Sequence, residues 1–133
     1  MGKKILLVDD DVDTSSNLAT VLTAKGYEVT EAHSGAEGLK KVLSFKPDLI
    51  ILDIMMETDT AGFEFAYQIR SNRPTSKYKE VKNTPVIMLT AINQATNSRF
   101  SLSDKDNFMP GVNDFLTKPV NIDALLEKVA KNT

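Results

Sequence analysis

The sequence predicts an α/β fold, a doubly wound parallel sheet with helices on both faces. Three observations lead there. Short apolar, β-branched runs alternate with segments of helical periodicity along the whole chain. Two of the runs, "DLIILD" (48–53) and "PVIMLTA" (85–91), are apolar without alternation, as strands covered on both faces are. Polar residues of a few chosen types stand where these runs end: Asp9, Asp10, Asp53, Thr90 and Lys118. A β-α order repeated five times implies right-handed crossovers and one parallel sheet.

Each element has a local reason. Lys4–Val8 is the first strand, running straight into Asp9, Asp10 and Asp11. Leu18, Val21 and Leu22 recur at helical spacing, and Gly26 supplies a helix stop. "YEVTEA" (27–32) alternates like a half-buried strand. Ser34 and Glu37 form a capping box ahead of Leu39, Val42 and Leu43, and Pro47 closes that helix. "DLIILD" is the third strand. "GFEFAYQIR" (62–70) then carries Phe63, Phe65, Ala66, Tyr67 and Ile69 at helical spacing. "PVIMLTA" and the short "DFLTKP" (114–119) are strands four and five. Ile122, Leu125, Leu126 and Val129 make a final amphipathic helix, with Lys128 and Lys131 placed for its C-terminal dipole. "SNRPTSKYKEVKNT" (71–84) reads as a solvated loop. Residues 93–111 are rich in Asn, Ser and Asp, so the fourth helix is expected to be short or irregular.

Composition narrows the function. The 133 residues make a single domain, 1–133, with an ordinary 41% hydrophobic and 26% charged content. A net charge of −2 gives no support to nucleic-acid binding. The chain has no cysteine, so disulfides, thiolate metal sites and cysteine nucleophiles are excluded. No apolar run approaches a membrane span, and the N-terminus lacks signal-peptide shape, so a cytoplasmic location is expected. No phosphate-binding glycine loop supports nucleotide binding.

In an open parallel sheet, ligands bind beyond the carboxyl ends of the strands. Asp9, Asp10, Asp53, Thr90 and Lys118 all fall on that edge. Taken singly, each has a bland explanation: an exposed turn, a helix cap, a core hydroxyl, a loop lysine. The set, in this order at these strand ends, does not. Two carboxylates about 5 Å apart repel by roughly 3 kcal/mol at an effective dielectric of about 20. Three converging carboxylates therefore call for a cation. An incomplete all-oxygen cage suits Mg²⁺, with Mn²⁺ as the alternative ion of similar preference. Lys118 offers a point charge to a phosphoryl oxygen, and the Thr90 hydroxyl can donate to another. Beside them Asp53 is a candidate nucleophile for phosphoryl transfer.

Through "ILLVDDD", "DLIILDIMM", "PVIMLTA" and "DFLTKPV" the chain resembles the receiver domain of two-component response regulators, the CheY-like superfamily, over essentially its whole length. The resemblance implies a flavodoxin-like sheet in the order 2-1-3-4-5. It makes Asp53 the phosphoacceptor. Asp10 becomes a direct metal ligand, Asp9 acts through water, and Met55 offers its backbone carbonyl. Thr90 becomes the switch hydroxyl, Phe115 the switch aromatic and Lys118 the phosphate-pairing lysine, with a cis peptide at Lys118–Pro119. It also implies a sensor histidine kinase or phosphotransfer protein as donor and a further protein downstream, with no direct contact to nucleic acid or membrane. Such a domain is not a conventional enzyme, though it catalyses its own phosphorylation and dephosphorylation. Asp11 is set apart as a helix-start residue.

The loop "IMMETDTAGFE" departs from the family: Glu57 stands where a proline is usual, and the loop is one residue longer. Segments 71–84 and 93–111 are also several residues longer than usual, and the second replaces much of the fourth helix, part of the family's output face, so a partner geometry different from the family's is expected. Apolar Met55 and Ile92 predict slow hydrolysis of the phosphate through restricted water access. Small-molecule phosphatases of the Asp-nucleophile type carry an acid two residues on, where this chain has Met55. A phosphorylation-independent binding module is the other competing reading. The only histidine, His33, is expected to be an exposed loop residue. The end one helix after "TKPV" fits a stand-alone receiver or a piece of a longer regulator.

Overall fold

The computed structural model describes residues 2–53, 65, 68, 69, 78, 81, 84–91, 114–118 and 120–133, and for 90, 91, 115, 117 and 118 the backbone alone. Strands β1 (Lys4–Val8), β2 (Glu28–Ala32), β3 (Leu49–Asp53), β4 (Val86–Ala91) and β5 (Asp114–Lys118) form one sheet in the order β2-β1-β3-β4-β5. Every pairing is parallel. Val8 lies opposite both Ala32 and Leu52, and Asp53 lies opposite Leu89, so all five strands finish at one edge.

Helix α1 (Val12–Ala24) begins as its sequence dictates. The Asp11 carboxylate accepts from the Thr14 N–H at 3.2 Å and the Thr14 hydroxyl at 2.8 Å. It ends in a Schellman motif: the Gly26 N–H donates to Thr23 O and the Tyr27 N–H to Leu22 O. The motif needs a left-handed residue, and Gly26 takes it at φ 95°. In α2 (Gly35–Phe45) the Ser34 hydroxyl accepts from the Glu37 N–H at 3.0 Å. Glu37 reaches back to the N–H of His33, one residue earlier than the usual capping box. The last helix, α3 (Ile122–Asn132), is capped by Asn121. Lys131 sits in its last turn as expected, but Lys128 does not serve the dipole: it donates to Asp114 Oδ1 at 2.7 Å, tying α3 to β5.

The period-2 alternation of the strands divides the core in two. Leu6, Val8, Ile50, Leu52, Val86 and Met88 face one way and pack with Val42 of α2. Ile5, Leu7, Leu49, Ile51, Ile87 and Leu89 face the other, against Leu18 and Leu22 of α1 and Leu125 and Val129 of α3. Phe65 and Ile69, in helical conformation one turn apart, join the α2 side, as their spacing predicted. Segment 71–84 is not simply a solvated loop: Tyr78 and Val81 are buried in the same cluster, with the Val81 N–H on Tyr78 O. Residues 93–111, where an irregular helix was expected, lie outside the described residues. Each fully buried aliphatic side chain stabilises by about 1.5–3 kcal/mol. The eight of Ile5–Val8 and Leu49–Leu52 therefore outweigh the repulsion of the carboxylates that follow them.

Candidate functional site

The site is built where β1 and β3 run out. Asp9 leaves β1 with its N–H on Ala32 O at 2.9 Å, and its Oδ1 accepts from the Asp11 N–H at 3.0 Å. The turn thus closes on its own side chain, burying Asp9 completely and leaving Asp10 exposed. Asp53, the last residue of β3, is 5% exposed. One carboxylate oxygen from each of Asp9, Asp10 and Asp53 lies within 4.8 Å of the others. Asp11 points its oxygens at α1 instead, as its separate reading required.

That donor set fits a hard divalent cation. It is all oxygen, two of its members are held out of water by the sheet, and the third opens to solvent for entry and water ligands. At such a separation, and an effective dielectric of about 20, each carboxylate pair repels by about 3.5 kcal/mol, which a divalent charge reverses.

Strand register brings the backbones of Thr90 and Lys118 to the same edge. Thr90 and Lys118 lie opposite Thr117 and Ala91, one and two positions beyond the Asp53–Leu89 pair. Phe115 lies opposite Met88. Met55, Glu57, Ile92 and Pro119 lie outside the described residues.

Sequence reasoning missed a polar network beside the acidic turn. The buried Ser15 hydroxyl donates to Glu31 Oε1 at 2.7 Å, and His33 Nε2 lies 3.3 Å from that same oxygen. Lys41 Nζ donates to the Glu31 carbonyl at 2.6 Å and pairs with Glu37 at 3.4 Å. His33, expected to be exposed, is half-buried in this network. The available signal was Ser15 itself, three residues before Leu18 on the apolar stripe of α1.

Among the described residues, no helix is long and apolar enough to cross a membrane. The family model of the response regulator receiver domain matches residues 5–130. The DNA-binding dual master transcriptional regulator RpaA of Synechocystis sp. is 33% identical over 127 residues, covering 95% of this chain and 47% of that protein. The CAI-1 autoinducer sensor kinase/phosphatase CqsS of Vibrio cholerae is 35% identical over 128 residues, covering 96% of this chain and 17% of that protein. The chain thus spans less than half the length of either relative. The solved structure of the chemotaxis response regulator CheY4 of Vibrio cholerae superposes with a TM-score of 0.80, at 29% identity and with 100% of both chains covered. With its sheet order, its acidic edge and this match across nearly all its length, the chain belongs to the response regulator receiver domain family of two-component systems.

Proposed function

We propose that this chain, read as one receiver domain over 1–133, is a phosphorylation-dependent signalling switch. Asp53 accepts a phosphoryl group from a phosphohistidine of a sensor histidine kinase or phosphotransfer protein. One observation carries the reading: the carboxylates of Asp9, Asp10 and Asp53 converge within 4.8 Å at the carboxyl edge of the sheet.

In the transfer an Asp53 oxygen forms a bond to phosphorus while the phosphorus–nitrogen bond breaks. The electron pair leaves with the donor imidazole, which takes up a proton from solvent. Asp10 and Asp53 directly, Asp9 through water and, as the family resemblance implies, the Met55 carbonyl would hold Mg²⁺ (or Mn²⁺), which would neutralise charge on the transferring group. Lys118 pairs with one phosphoryl oxygen and the Thr90 hydroxyl donates to another. The shift of Thr90 toward phosphate lets Phe115 reorient, and the β4–β5 face changes between two populated states. A downstream protein reads that face in the cytoplasm. The domain itself makes no contact with nucleic acid or membrane, and the net charge of −2 supports this.

Mass spectrometry after incubation with Mg²⁺ and a small phosphodonor tests the proposal. A single phosphoryl addition is expected, lost in Asp53→Asn and on chelation. A wild-type chain that gains no mass from any small donor or histidine kinase returns the molecule to the phosphorylation-independent binding reading.

A further inference from the structure

We infer that Glu31 is a positioning residue for the acidic pair: through Ser15 it fixes the turn that carries Asp9 and Asp10. The inference rests on the reading of that pair as a cation site, and adds the side chain that holds it in place.

The turn between β1 and α1 is anchored at both ends by the end of β2. At its start, the Asp9 N–H donates to the carbonyl of Ala32 at 2.9 Å. At its finish, the Ser15 N–H donates to Asp11 O at 3.0 Å, and the Ser15 hydroxyl donates to Glu31 Oε1 at 2.7 Å. Asp10 stands between the two anchors, exposed toward the crevice edge. One anchor is backbone and belongs to any such sheet. The other exists only because this chain places a serine in the first turn of α1 and a glutamate at the matching position of β2.

Glu31 is itself braced from α2. Lys41 donates to its carbonyl at 2.6 Å, and His33 Nε2 lies 3.3 Å from the carboxylate oxygen that Ser15 uses. The Ser15 side chain is fully buried, so without Glu31 its hydroxyl has lost its acceptor. The hydroxyl is then left with the Asp11 carbonyl of its own helix or with water, neither of which ties the first turn of α1 to β2, so that turn is free to shift. Mg²⁺ demands near-ideal octahedral geometry, so displacement of the turn is felt at Asp9 and Asp10. Groups that orient ligands without touching the ion commonly control affinity by an order of magnitude or more.

The test compares Glu31→Ala, Ser15→Ala and Glu31→Gln by two measurements: Mg²⁺ affinity by calorimetry, and amide hydrogen exchange without metal at Asp9 and Asp11, whose N–H groups are bonded in the turn. Both alanine variants are expected to bind Mg²⁺ about fivefold to tenfold more weakly. The Asp9 and Asp11 amides are expected to exchange severalfold faster in both. Ser15→Ala should melt within about 2 °C of wild type, because alanine is the better helix former, so affinity falls without a matching loss of stability. Glu31→Gln still accepts from Ser15 and should return both readouts to near wild type. Wild-type affinity and exchange in Ser15→Ala overturn the inference. Equal weakening in Glu31→Gln also overturns it, by assigning the effect to the lost charge. A wild type that binds no Mg²⁺ removes the cation reading, and the exchange rates then decide the positioning alone.

Discussion

Gly38 of α2 and the ring of Phe65 meet so closely that a β-carbon on Gly38 would stand 2.9 Å from Phe65 Cε2 and 3.1 Å from Val8 Cγ2. The missing side chain lets α2 lie directly on β1, immediately before the acidic turn. Gly38→Ala therefore sets two effects against each other. Alanine favours the helix by about 0.5–1 kcal/mol, while overpacking a tight core costs about 1–3 kcal/mol. Phe65 and Val8 are both buried, so neither retreats freely and overpacking wins. A net loss of about 1–2 kcal/mol is expected in urea unfolding, with Phe65→Leu recovering part of it in the double variant. A midpoint equal to or above wild type for Gly38→Ala would show that the contact is slack.

The Lys128–Asp114 pair is expected to matter more than an ordinary surface ion pair. Exposed pairs contribute about 0–1 kcal/mol. Here the side chains are 31% and 15% exposed and the bond is 2.7 Å long. Lys128→Met keeps much of the aliphatic stem and removes the charge. It should cost about 1 kcal/mol, and a double-mutant cycle with Asp114→Asn should return most of that as coupling. Coupling near zero would reduce the pair to a surface contact.

What the sequence made legible follows from what its signals encode. The unbroken apolar runs Ile5–Val8 and Leu49–Leu52 marked β1 and β3 because strands buried on both faces need no polar alternation. Asp11 and Gly26 were legible because caps depend on neighbours only a few residues away. The gathering of Asp9, Asp10 and Asp53 was legible because parallel strands deliver their ends to one edge. Partners chosen by tertiary placement left no local trace. Lys128 sits as well for a helix dipole as for Asp114, and only the packing of α3 on β5 decides between them. Ser15 and His33 reach Glu31 because the end of β2 lies beside α1, which no periodicity reports. Tyr78 and Val81 looked solvated because their neighbours in sequence are polar.

The Glu37 carboxylate gives the fold a small acid sensitivity. The His33 N–H bonded to it holds its pKa below the ordinary glutamate value, Lys41 adds to this, and slight burial opposes it. A pKa lowered on folding stabilises the native state above the unfolded value, and that stability is lost as pH falls through the lowered value. The side chain is 40% exposed, so solvent screens much of the effect. Stability measured by urea unfolding should fall somewhat more steeply below about pH 4.5 in wild type than in Glu37→Gln, and the two should run parallel at higher pH. Identical slopes throughout would mean that the carboxylate contributes nothing as an ion.

The three carboxylates make the site a place where stability and function oppose each other. Asp53→Asn removes one of the mutually repelling charges, each pair of which repels by about 3.5 kcal/mol at an effective dielectric of about 20 before local hydrogen bonds offset it. Without divalent ions the variant should therefore be more stable than wild type, by about 1–2 kcal/mol after that offset. Mg²⁺ should reverse the order. A ligand at about a hundred times its dissociation constant stabilises the form that binds it by about 2.7 kcal/mol, and wild type should gain this while Asp53→Asn gains little. Urea unfolding with and without Mg²⁺ reads both effects in one experiment. An asparagine variant less stable than wild type in chelator would mean that the neighbours of Asp53 already neutralise its charge, and that the cluster does not depend on a cation for its balance.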